Sequence, residues 1–160
     1  MNVRYIKILL LLPVAVLGLI AFFTNISTLQ LNFETVQSIL SMQKTFDWPN
    51  IKWRAITNPY LVGIGYGSII LCELAVGVLC ASGAVNMWRA RRAEARAFND
   101  AKLLAQLGCA IGILLWYGGF IVVAGEWFFM WQHGAATLEH AFRFAGGIAL
   151  ILIIVSLKDE

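Results

Sequence analysis

One carboxylate interrupts the apolar run SIILCELAVGVLCASGAV, which covers residues 68–85. The side chain is Glu73, and acids inside membrane helices are costly and commonly mark proton or ion pathways. Two chemistries are open to it. It can be an uncharged acid that donates a hydrogen bond between helices, or it can relay protons or cations. A relay needs further polar groups, for which Tyr66 and Tyr117 are the candidates within the predicted spans. The structural role is the preferred interpretation.

The neighbours of Glu73 along its helix indicate which way it faces. Heptad steps from Glu73 reach mostly small residues, and such stripes let helices approach closely in lipid. We therefore expect Glu73 to face the bundle. Pro13 lacks an N–H and leaves the carbonyl of Leu9 without its helical donor, so we expect protonated Glu73 to donate to that carbonyl, directly or through a water. The residues of the stripe are Tyr66, Ile70, Gly77, Cys80 and Ala84.

Other catalytic or metal chemistry is not indicated. His133, His140, Glu126 and Glu139 lie near one another in the chain, but without HExxH or comparable ligand spacing. No predicted span contains a histidine, which excludes bis-imidazole haem between the spans. The sequence has no nucleophile motif, phosphate loop, paired catalytic carboxylates or CxxC pair. We predict no metal, no cofactor and no enzymatic activity.

The composition indicates a membrane protein. Hydrophobic residues make up 60% of the 160 residues and charged residues only 13%, whereas soluble domains are about half apolar and a quarter charged. The fold class predicted is all-α: a single four-helix transmembrane domain, residues 1–160, with spans near 8–23, 61–87, 103–125 and 141–157. The first run follows Arg4 and Lys7, as in a signal peptide, but lacks a cleavage pattern and is interpreted as a permanent span.

The distribution of Lys and Arg predicts the orientation. Eight of the 12 basic residues lie at the termini or in the loop between spans two and three, and the positive-inside rule places these on the cytoplasmic side. We expect both termini to be cytoplasmic. The loop's basic cluster has a topological role and contacts anionic lipid head groups; nucleic-acid binding is not expected. The cluster is Arg89, Arg91, Arg92 and Arg96.

Two segments are predicted to lie on the outer surface. NFETVQSILSM, residues 32–42, is predicted to be a short amphipathic helix on the membrane, with Asn32 as its N-cap. GEWFFMWQHG, residues 125–134, is either an interfacial aromatic belt or a docking patch. Trp is enriched at membrane interfaces, whereas Trp, Phe and Met are enriched in the cores of protein interfaces. We also expect an ion-pair network among Glu126, Glu139, Arg54 and Arg143. The predicted patch comprises Glu126, Trp127, Phe128, Met130, Trp131, Gln132, Arg54 and Arg143.

Small residues in spans two and three predict tight helix crossings. Gly108 and Gly112 form a GxxxG pattern, and Gly63 and Gly67 have the same spacing. Such patterns let backbones approach closely. Packing within the chain is preferred, and a homo-oligomer is the alternative.

Several stretches together resemble a bacterial family of unknown function, described as predicted small integral membrane proteins. In order they are WRAITNP, RARRAEARAFNDAKLLAQLG, LLWYGGF, GEWFFMWQ and AFRF. The segment after GEWFFMWQ usually carries Trp-Asn-Gly in that family, whereas here it is HGAATLEH. The resemblance implies four spans in a bacterial inner membrane and no known activity.

These observations favour a non-catalytic role through interaction with another membrane component. An accessory subunit and an immunity-like protein both fit, with the lipid bilayer and another membrane or periplasmic protein as partners. The alternative is an oligomeric channel or a proton- or ion-handling transporter component that uses Glu73.

Overall fold

The structure is a computed structural model that describes residues 3–46, 49–134 and 136–160. Within these ranges the chain is 83% helical and has no strand. The fifth helix changes to π-helical geometry after Ile113, and two short 3₁₀ turns lie in the loops. The elements are α1 (Val3–Ser27), α2 (Leu29–Leu40), the turn Lys52–Arg54, α3 (Pro59–Ala90), α4 (Ala95–Asp100), α5 (Leu103–Ile113 and its π-helical part Leu114–Trp127), the turn Met130–His133, and α6 (Ala136–Ser156).

Four helical stretches are long and apolar enough to cross a membrane, which confirms the predicted number of spans. They are Val3–Ser27, Pro59–Ala90, Ala95–Trp127 and Ala136–Ser156. Each stretch begins before the predicted start of its span. The first three also continue beyond the predicted end. The reason is that a helix continues through polar residues at the ends of an apolar run. α3, with 32 residues, is about 48 Å long at 1.5 Å per residue, well above a hydrocarbon thickness of about 30 Å.

The bundle is built from successive helix pairs. Helix α1 packs on α3, α3 on α5, and α5 on α6, and α6 in turn contacts α1. The start of α1, the segment after α6 and helix α4 lie at one end, here called the termini end. The opposite end carries α2 and both 3₁₀ turns and is called the α2 end. A large core fills the bundle, and a second, smaller core lies at the α2 end beneath α2.

Glycines set the closest crossings. A Cβ atom on Gly18 of α1 would lie 2.6 Å from the backbone nitrogen of Gly77 of α3, so the two backbones are in direct contact. A Cβ on Gly108 would lie 2.6 Å from the sulfur of Cys80, which confirms a tight crossing at this predicted position. Gly67, by contrast, has no neighbour within 4 Å of its hypothetical Cβ among the described residues.

Helix α2 begins earlier than predicted. Its N-cap is Thr28 rather than Asn32, so the predicted N-cap is wrong and Asn32 lies inside the helix. The side chain of Asn32 is instead used in a tertiary hydrogen bond with Asn25 of α1. A helix is therefore present in this loop, while its position on a membrane surface stays a prediction.

Candidate functional site

Glu73 is buried inside the bundle, midway along α3 and beside the last turn of α1. Its side chain is 3% exposed, which confirms that it faces the other helices. Both carboxyl oxygens lie within hydrogen-bond distance of the Nδ2 of Asn25, at 2.9 and 2.8 Å. The predicted partner, the carbonyl of Leu9, is therefore wrong: Leu9 is 56% exposed on the outside of α1.

The partner was missed because the first predicted span ended at Phe23. The structure extends α1 to Ser27, and this last turn brings the amide of Asn25 against Glu73. Asparagine directly after an apolar run is ordinarily interpreted as a solvated helix end. The buried acid on another helix is the signal that such a donor is needed.

A hydrogen-bond network extends from Glu73 to α2. The Oδ1 of Asn25 accepts from the Nδ2 of Asn32 at 3.0 Å, and Asn32 also donates to the hydroxyl of Thr28 at 2.8 Å. The buried hydroxyl of Tyr66 donates to the backbone oxygen of Asn25 at 2.8 Å. The bond from Asn32 to Oδ1 orients the Asn25 amide so that its NH₂ group points at Glu73. The network thus joins α1, α2 and α3.

Tyr117, the other predicted member of this site, lies elsewhere. It is half exposed on the π-helical part of α5. The structure therefore brings Tyr66 to Glu73, while Tyr117 is not among the residues of the described network.

A crevice gives access to Glu73. It has a volume of about 530 Å³ and lies between α1, α5 and α6, with Glu73 and Asn32 among its lining residues. Trp116 and Phe144 contribute aromatic rings, edge to face at 5.6 Å, and the imidazole of His140 stacks on Phe144. His140 belongs to α6, so the prediction that no spanning helix carries a histidine is wrong; α6 begins before the residue that was predicted to start the span. Within the described chain, Glu73 takes part in no ion pair.

An aromatic cluster around Arg54 covers part of the α2 end. The guanidinium lies 4.5 Å from the ring centroid of Trp127 and 5.8 Å from that of Trp53, and the two rings meet edge to face at 5.9 Å. Phe129, at 5.7 Å from the guanidinium, connects this group to Trp131 through a further edge contact at 6.0 Å. We call these five residues the aromatic platform. Its three tryptophans are exposed.

The rest of the predicted outer patch divides around this platform. Phe128 and Met130 are buried in the small core beneath α2 and support the platform from below. The Oε1 of Gln132 accepts from the backbone N–H of Phe46 at 2.6 Å and fixes the loop after α2. Glu126 is exposed at the end of the π-helical segment.

Of the four residues predicted to form an ion-pair network, the structure joins two. Arg143 pairs with Glu139 at 3.3 Å on the surface of α6, where the side chains are 68% and 62% exposed. Arg54 is instead held among the aromatic rings and donates to the carbonyl of Trp127 at 3.4 Å. In the described ranges, no three His, Cys, Asp or Glu side chains are grouped so that they could hold a metal ion.

The predicted basic cluster lies at the termini end, around the turn from α3 to α4. Arg89, Arg92 and Arg96 are exposed. Arg91 folds back on α3, where it donates to the carbonyl of Trp88 at 2.7 Å and stacks over that ring at 4.2 Å.

A buried ionic cluster near the C-terminus was not predicted. The carboxylate of Asp159 accepts from Lys7 at 2.6 Å and from Lys102 at 2.5 Å, and both lysines are 2% exposed. Both lysines also donate to the carbonyl of Leu157. The side chain of Asn99 donates to the backbone oxygen of Asp159 and accepts from its backbone N–H. We call this arrangement the C-terminal latch, because it ties the end of α6 to α1 and to the start of the third span.

The latch gathers three cations around one acid. Arg4 lies 3.8 Å from the second carboxyl oxygen of Asp159. Burial alone would raise the pKa of Asp159, but the hydrogen bonds and charges of Lys102 and Lys7 outweigh it and hold the pKa below its usual value. Asp159 is therefore ionised in the folded protein at neutral pH.

Four apolar helices with a buried acid and an aromatic end define this chain as a small four-span helical membrane protein. It belongs to the family described as predicted small integral membrane protein (DUF2165), which it matches over residues 3–158. This match confirms the resemblance seen in the sequence motifs. No curated protein and no solved structure matches the chain. The family's description specifies the membrane and no activity.

Proposed function

We propose that this protein is non-catalytic and acts by binding another protein of the same membrane through the aromatic platform. The role is that of an accessory subunit or an immunity-like protein. The supporting observation is the arrangement of three exposed tryptophans with an arginine in their midst. Trp and Arg are the residue types that most often dominate the binding energy of protein interfaces.

The platform is also pre-organised. Arg54 is held by the carbonyl of Trp127 and by the ring faces around it, and buried Phe128 and Met130 support it from below. Side chains that are already ordered lose little conformational entropy when a partner binds. An interfacial belt needs amphipathic rings at head-group depth, but it does not need them packed around a guanidinium.

The proposed orientation places the platform outside the cytoplasm. Most basic residues belong to the termini end, and the positive-inside rule assigns that end to the cytoplasmic face. In a bacterial inner membrane the α2 end then faces the periplasm. A partner is expected to be a membrane protein with an outer domain, or a protein that approaches the membrane from that side.

Site-specific photo-cross-linking tests this function. A photoreactive phenylalanine analogue is placed at Trp127, at Trp131, or at Leu150, an exposed residue on the apolar surface of α6 that serves as control. In membranes of the source organism we expect a discrete protein adduct from the first two positions and none from the third. Adducts with lipid alone from all three positions would reduce the platform to a membrane anchor.

Proton or ion handling at Glu73 is a second candidate, favoured by one observation: this buried acid lines a crevice between the helices. The network through Asn25 and Asn32 extends polar groups toward the α2 end. If this candidate is correct, proteoliposomes containing the purified protein should show a proton or ion flux, and Glu73→Gln should abolish it. A wild-type flux equal to that of empty liposomes would argue against it.

A further inference from the structure

We propose that the Glu73 crevice and the groove next to it form one binding site for a membrane phospholipid with an ammonium head group, of which phosphatidylethanolamine is the representative. The proposal goes beyond the function proposed above and does not involve the aromatic platform. It rests on three features of the described chain: an acid without a cation, aromatic walls around it, and an apolar groove that continues from the same crevice.

The head-group part of the site is suited to a cation. Asn25 supplies N–H donors to the Glu73 carboxyl group, but no described cation pairs with it. Trp116 and Phe144 line the same crevice. A carboxylate beside aromatic rings is a favourable setting for an ammonium group, through a charge-assisted hydrogen bond and cation–π attraction. The hydroxyls of Thr24 and Thr137, which also line the crevice, can accept the remaining N–H groups.

The tail part of the site is a groove between α1 and α6. Leu17 and Phe144 line both the crevice and this groove, so the two spaces adjoin. The groove has a volume of about 150 Å³, and its walls are apolar apart from Arg143. An acyl chain matches such walls. The guanidinium of Arg143, which pairs with Glu139 on the exposed surface of α6, also lines the groove and can bind the lipid phosphate. The apolar walls are Pro13, Val14, Leu17, Phe144, Gly147, Ile148 and Ile151.

A lipid is preferred over a soluble amine because the site opens on an apolar surface. Ile20, which lines the crevice, and Val16, one turn away on α1, are both exposed side chains of a membrane-spanning helix. A lipid can enter sideways from the bilayer, and its tail remains in contact with apolar side chains throughout.

Native mass spectrometry of the full chain in detergent tests the proposal, with phosphatidylethanolamine or phosphatidylglycerol added. We expect the wild type to retain phosphatidylethanolamine in preference to phosphatidylglycerol. Glu73→Gln keeps the shape and the acceptor oxygen but removes the charge, so retention should fall about tenfold or more, as expected for a lost hydrogen bond to a charged group. The matched control Glu126→Gln, which changes an exposed acid, should behave as wild type.

A second pair of variants tests the groove without changing the acid. Neither Gly146 nor Gly147 has a neighbour within 4 Å of its hypothetical Cβ in the described chain, but only Gly147 lines the groove. Gly147→Leu should fill it and weaken lipid retention, whereas Gly146→Leu should leave retention unchanged. This comparison decides the matter even if Glu73→Gln does not fold.

Three outcomes would overturn the proposal. Equal retention of the two lipids by the wild type removes the role of the head-group charge. Unchanged retention in both Glu73→Gln and Gly147→Leu removes the site. Displacement of the lipid by millimolar free ethanolamine identifies a soluble amine as the occupant instead.

Discussion

The C-terminal latch makes a sharp prediction about stability. In Asp159→Asn, the ammonium groups of Lys7 and Lys102 lose the carboxylate that neutralises them, while both remain 2% exposed. Breaking a buried ion pair from one side costs about 3–5 kcal/mol. The carbonyl of Leu157 still accepts from both lysines, at 2.6 and 2.7 Å, which favours the lower end. We expect the free energy of unfolding to fall by about 3 kcal/mol.

The assay is reversible unfolding in mixed micelles of a mild and a denaturing detergent, followed by tryptophan fluorescence. Glu139→Gln is the matched control, because it breaks an ion pair whose side chains are 68% and 62% exposed. Exposed pairs four residues apart in a helix contribute about 0.3–0.5 kcal/mol. If the two variants lose the same stability to within about 0.5 kcal/mol, the reasoning about the latch is refuted.

Three further predictions can be checked in the same assay. Gly18→Ala should destabilise by about 1–3 kcal/mol, because its new Cβ would lie 2.6 Å from the backbone of α3; Gly67→Ala, where space is open, should be tolerated, and similar losses in both would contradict the crossing. Tyr66→Phe should cost about 1 kcal/mol through the lost hydrogen bond to Asn25, and an unchanged stability would show that this bond contributes nothing. Because the folded pKa of Asp159 is lowered, its contribution is complete above the ordinary aspartate range and is lost as the pH falls through that range and below; the difference between wild type and Asp159→Asn should therefore shrink in acid, and a constant difference would contradict the ionised latch.

The sequence predicts the spans well because apolar runs of this length have few other structures open to them. It also predicts that Glu73 is buried, since small residues recur on its face. The partner of Glu73 was not predictable from the same local pattern. Asn25 stands outside the apolar run, and only the packing of α1 on α3 shows that the two side chains meet.

The latch was missed for a similar reason. Lys7, Lys102 and Asp159 each lie at the end of an apolar stretch, where charged residues are ordinarily solvated. Asp159 is 152 residues from Lys7 and 57 from Lys102 in the chain, so no local spacing indicates the contact. Glycine patterns show the same limit: Gly18 and Gly77 make a close crossing without belonging to the GxxxG pairs that the sequence singles out.

The proposed orientation, with the aromatic platform outside the cytoplasm, is tested most directly by determining on which side of the membrane the α2 end lies. Single cysteines are placed at Gln43, an exposed residue just after α2, and at Ala93, exposed in the turn before α4, with the wild-type chain as baseline for its three native cysteines. Intact spheroplasts are then treated with a membrane-impermeant maleimide. We expect labelling of Gln43→Cys before permeabilisation and of Ala93→Cys only after it. The reverse pattern would place the aromatic platform in the cytoplasm and contradict a partner on the outer face.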